Sequence, residues 1–65
     1  MDKEKATQLA ELLNGEAWNS GGGIYIVLIR NSLNQIIGVT DESICLYANE
    51  QALEDGRAEQ SFLLV

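Results

Sequence analysis

The segment Ile24-Tyr25-Ile26-Val27-Leu28-Ile29 is an unbroken apolar run, most of it β-branched or aromatic. Such a run reads as a strand. Successive side chains alternate, so Ile24, Ile26 and Leu28 point one way and Tyr25, Val27 and Ile29 the other. With no polar residue on either side, both faces need cover. That is a heavy demand on a chain of 65 residues. A domain of about 60 residues buries only roughly 60% of the surface its unfolded chain exposes.

The usual staples are missing. Cys45 is the only cysteine and there is no histidine. An intramolecular disulfide and a histidine–cysteine metal site are both excluded. Small scaffolds without staples often gain stability by association.

The run is flanked by readable elements. Ala6, Leu9, Ala10 and Leu13 recur at helical spacing, with Leu12 widening the stripe, so residues 2–14 read as an amphipathic helix. Asp2 suits its N-cap and Asn14-Gly15 its end. Glu16 to Ser20 reads as a short extended segment carrying Trp18, and Gly21-Gly22-Gly23 as a break. Asn31 to Asn34 reads as a hairpin connection into a return strand, Gln35 to Thr40. Gly38 inside that strand marks a bulge or a close approach by another backbone. Ile44 to Tyr47 is a further strand. Asn49 to Asp55 forms about two helical turns, capped by Asn49 and stopped by Gly56. Glu59 to Val65 is the last strand. The expectation is a single α+β domain over 1–65. Its N-terminal amphipathic helix packs on a small, mostly antiparallel sheet of four or five strands, with a short helical turn before the last one.

The helix can cover one sheet face only. The other is expected to form a symmetric homodimer interface. The alternative is that the short helix and the segment around Trp18 wrap it.

Charge bounds the function. Ten acids stand against Lys3, Lys5, Arg30 and Arg57, for a net charge of −6. So few cations cannot neutralise a phosphate backbone or an anionic membrane, and neither nucleic acid nor membrane is an expected direct partner. No apolar run reaches the roughly 18–20 residues of a spanning helix. Met1 to Lys5 leads into no signal-like apolar segment, so the expected compartment is the cytoplasm.

Two segments stand out as candidate sites. Trp18, Asn19, Ser20, Gly21, Gly22 and Gly23 could form a small-ligand site, with a stacking ring, hydrogen-bonding side chains and exposed backbone N–H groups. The plainer reading is a turn that folds Trp18 onto the core, because phosphate-binding glycine loops run from strand into helix, not into a strand. From Asp41 to Glu59 there are six acids against Arg57 alone. Asp41, Glu42, Glu50, Glu54 and Asp55 could dock a basic protein partner or mimic a nucleic acid. The plainer reading is a solvated acidic face. Cys45 and the serines have no histidine base beside them in the sequence, Arg30 reads as a surface cation paired with an acid, and Tyr25 and Tyr47 read as core-edge residues. No catalysis, cofactor or metal is expected. No motif is specific enough to name a family. The expected function is that of a small acidic binding or regulatory protein acting by protein–protein contact.

Overall fold

The computed structural model describes residues 1–64. Its elements are α1 (Lys3–Leu13), β1 (Glu16–Gly21), β2 (Ile24–Arg30), β3 (Ile36–Val39), β4 (Ser43–Tyr47), α2 (Glu50–Asp55) and β5 (Gln60–Leu63). The five strands form one antiparallel sheet in chain order, β1-β2-β3-β4-β5. An N-terminal helix on an antiparallel sheet, with a short helix before the last strand, is the expected α+β architecture. Val65, expected in the last strand, lies outside the described residues.

Asp2 caps α1, its side chain accepting from the Lys5 N–H at 2.8 Å. Asn14 ends the helix in the left-handed conformation, at φ 56°. Gly15 serves a different purpose: a β-carbon there would stand 2.5 Å from the Leu28 carbonyl oxygen. The glycine lets the chain turn off the helix directly against β2.

α1 packs on β1 and β2 through Ala6 and Ala10, both buried beside Val27. Its apolar stripe is narrower than the spacing implied, for Leu12 is 83% exposed. Alanines at the contact bring the helix axis close to the sheet, and a leucine one position beyond then points past it.

Gly21 to Gly23 do not break the sheet. Gly21 closes β1 opposite Ile24, and Gly22 and Gly23 form the two-residue turn with φ of 62° and 79°. Two successive positive φ angles are what a tight hairpin turn demands. The register slips between Asn19 and Gly21, which leaves Ser20 as a bulge.

Directly paired residues share a sheet face, so the register assigns every side chain. On the α1 side lie Tyr25, Val27 and Ile29, then Ile37 and Val39, then Ile44 and Leu46, then Gln60 and Phe62. On the other side Ile26, Leu28 and Ile36 are buried against Leu53 of α2, with Trp18 and Tyr47 packed around them. Asn49 caps α2 by accepting from the Ala52 N–H at 2.9 Å, and Gly56 ends it at φ 70°. Thus α2 and Trp18 cover the second face of β2 from within the chain. The apolar surface left open lies elsewhere, on the α1 side of β3 to β5, past Val39, which still packs against the Ala6–Ala10–Val27 cluster.

Candidate functional site

The Trp18–Gly23 segment is built as a turn. Trp18 is half-buried against the Ile26–Leu28–Ile36–Leu53 cluster. The Asn19 side chain accepts from the Gly21 N–H at 2.8 Å, and the Ser20 hydroxyl donates to the Ile24 carbonyl at 3.0 Å. The Asn19 amide oxygen and the Ser20 hydroxyl are engaged in holding the bulge and the hairpin. Hollows of about 450 Å³ and 370 Å³ elsewhere are lined by other residues, the first between α1 and β1, the second beside Arg30 and the start of α2.

The five acids are dispersed. Asp41 closes onto α1, 2.6 Å from the Lys5 ammonium and 3.2 Å from the α-amino group of Met1. Its hydrogen bond to Lys5, and then that to the amino group, hold its carboxyl below the usual carboxylate range. Lys5 is raised in return, first by the same hydrogen bond. Glu50 is paired with Arg30, which also binds Glu16. These carboxylates raise the Arg30 guanidinium further, Glu16 most. Asp55 is bound by Arg57 and by the Gln51 amide. Glu42 and Glu54 are exposed and paired with no cation among the described residues. Asp41 and Glu42 sit at the β3–β4 turn, whereas Glu50, Glu54 and Asp55 ride on α2 over the opposite face.

The structure assembles a third surface. On the α1 side of β3 to β5, Ile37, Val39, Ile44 and Leu46 are half-buried, and Phe62 and Leu64 are more than half exposed. Ile37, Ile44, Cys45, Leu46, Gln60 and Phe62 border a shallow depression of about 210 Å³. No aspartate, glutamate, lysine or arginine stands among these residues, in a chain of net charge −6. The alternation of each strand is visible in the sequence. Which strand faces α1 needs the register, and the sequence alone does not supply it.

Chemistry is sparse. The Cys45 sulfur lies on the α2 side, 3.5 Å from the Ser61 hydroxyl. Burial, and then the neighbouring Cys45, push the Tyr47 phenol above its ordinary value. Among the described residues no three carboxylate or thiol groups converge as a metal site. No helix among them is long and apolar enough to cross a membrane. Compared with protein-family models, curated proteins and solved structures, the chain matches none.

Proposed function

We propose that this chain is a small acidic, non-catalytic binding domain of the cytoplasm that works by protein–protein contact as a homodimer. The supporting observation is the charge-free apolar half-face over β3, β4 and β5. Soluble monomers rarely leave such a patch in water, and charged residues are depleted at the centres of protein interfaces. Asp41 and Glu42 sit at the β3–β4 turn beside it, and Glu50, Glu54 and Asp55 lie over the opposite face. Glu42 and Glu54, unpaired among the described residues, are available to a basic partner.

Salt separates the two kinds of contact. Two copies each carrying −6 repel one another, so self-association through a charge-free patch tightens as salt screens that repulsion. Capture of a basic partner weakens under the same change. Sedimentation equilibrium from micromolar to sub-millimolar protein tests the reading. The expected species has twice the 7.1 kDa chain mass, and its population rises with salt. A 7.1 kDa species at every concentration and salt overturns it.

A further inference from the structure

The two edges of the sheet are treated differently. β1 carries Glu16, a bulge at Ser20 and a terminal glycine, and all three discourage pairing with another strand. β5 has none of these devices: Gln60-Ser61-Phe62-Leu63 holds no charge, proline, glycine or register shift. All four residues are exposed, Phe62 by 61% and Leu63 by 77%.

The phase of the free edge follows from two hydrogen bonds. At the β3–β4 turn the Thr40 N–H donates to the Ser43 carbonyl at 2.9 Å, so Ser43, Cys45 and Tyr47 direct their backbone groups to β3. Ile44 and Leu46 therefore serve β5. The Leu64 N–H donates to the Glu42 carbonyl at 2.8 Å, in the same phase. Gln60, Phe62 and Leu64 thus bond inward, and Ser61 and Leu63 present N–H and C=O outward. These free groups are symmetric about Phe62.

We propose that β5 pairs antiparallel with β5 of a second copy about a two-fold axis at Phe62, giving a continuous ten-stranded sheet. This rests on the homodimer reading above and names its contact. Ser61 exchanges two hydrogen bonds with Leu63 of the second copy, and the symmetry makes four. Phe62 meets its own counterpart in a non-hydrogen-bonded pair, with α-carbons about 4.5 Å apart and both rings on the α1 side. The two charge-free half-faces then join across the axis into one apolar floor. A second copy fits this edge better than a basic strand would, because Gln60 to Leu64 carries no acid to receive one.

Three variants and one measurement test the pairing. In a Cys45→Ser background, Phe62→Cys places two thiols within the roughly 4.4–6.8 Å α-carbon range of a disulfide. Mild oxidation should then give a covalent dimer, and Leu12→Cys in the same background should not. Ser61→Pro removes an outward N–H and leaves the β4 ladder intact. Two hydrogen bonds are lost per dimer, so its dissociation constant should rise about 30-fold at unchanged circular dichroism. Amide exchange at Ser61 and Leu63 should slow as protein concentration rises. A dimer by mass with fast exchange at both amides, and no cross-link through Phe62→Cys, overturns the edge pairing and leaves the homodimer standing. Protection that appears only with an added foreign strand peptide overturns the second copy as occupant. A monomer under all conditions overturns both readings.

Discussion

The ring of Tyr47 lies over Gly38 of the neighbouring strand, its Cε2 3.2 Å from the point where a β-carbon on that glycine would stand. The ring covers a strand position that has no side chain of its own, and Ile26 and Leu28 close in behind at ordinary contact distance. The two residues should therefore be energetically coupled. Gly38→Ala alone is expected to cost about 1 kcal/mol, because the added methyl displaces the ring. In a Tyr47→Ala background the same change should be neutral or stabilising, since alanine suits a strand better than glycine. Urea titrations of the four proteins give the coupling, and equal costs in both backgrounds would refute the contact.

Gly15 and Asn14 should answer substitution in opposite ways. Gly15→Ala drives a methyl into the Leu28 carbonyl, a backbone atom of the central β2 that cannot step aside. A loss of about 2–3 kcal/mol is expected. Asn14→Gly instead relieves a left-handed residue and should be neutral or stabilise by a few tenths of a kcal/mol. Chemical denaturation of both variants decides whether close approach or conformation makes the glycine necessary.

Leu53 pins α2 to the sheet. It is 5% exposed and packs into the cluster of Ile26, Leu28 and Ile36. Leu53→Ala should cost about 2–5 kcal/mol, a large share of what so small a domain has. Trp18 borders the same cluster and reports the change by fluorescence. An unshifted urea midpoint would show that α2 is not what covers this face.

Asp41 should give the protein an acid-sensitive contact. Its folded pKa lies below the ordinary carboxylate value, so its contribution is complete above that value and is lost as pH falls through the folded one. Asp41→Asn should lower the melting temperature at neutral pH and flatten its decline on acidification. Added salt should shrink the part of the difference that comes from Lys5, since Lys5 and Asp41 are exposed whereas the Met1 side chain is only 1% exposed. Thermal melts across the acid range, with and without salt, supply the comparison.

Much of the fold was legible because caps and strands are written locally. Asp2, Asn49 and Gly56 act where their residue types place them. Gly38 is neither the bulge nor the close backbone approach it suggested: the register runs unbroken past it, and what comes near is the ring of Tyr47. Gly21 to Gly23 form a turn beside a bulge, with Trp18 on the core, in line with their plainer reading; composition does not show that the turn is a tight hairpin with Gly21 still paired in the sheet. Leu12 misled because three leucines and two alanines fit one helical stripe, and only the sheet decides how close the helix comes. Leu53 went unremarked because a six-residue helix is too short for its buried side to show as a period. The candidate surface was hidden for a related reason. Ile37, Ile44 and Phe62 become neighbours through register, a property of pairs of strands.

The strictly sequential strand order bears on how the chain reaches this state. Every strand pairs with the one before it, so each pairing closes only the connection between them, a turn in three cases and residues 48–59 with α2 in the fourth. Among five-stranded sheets this keeps contact order low, and low contact order goes with fast folding. Each hairpin can close as soon as its second strand emerges during synthesis, and β5, which carries the unguarded edge, joins last.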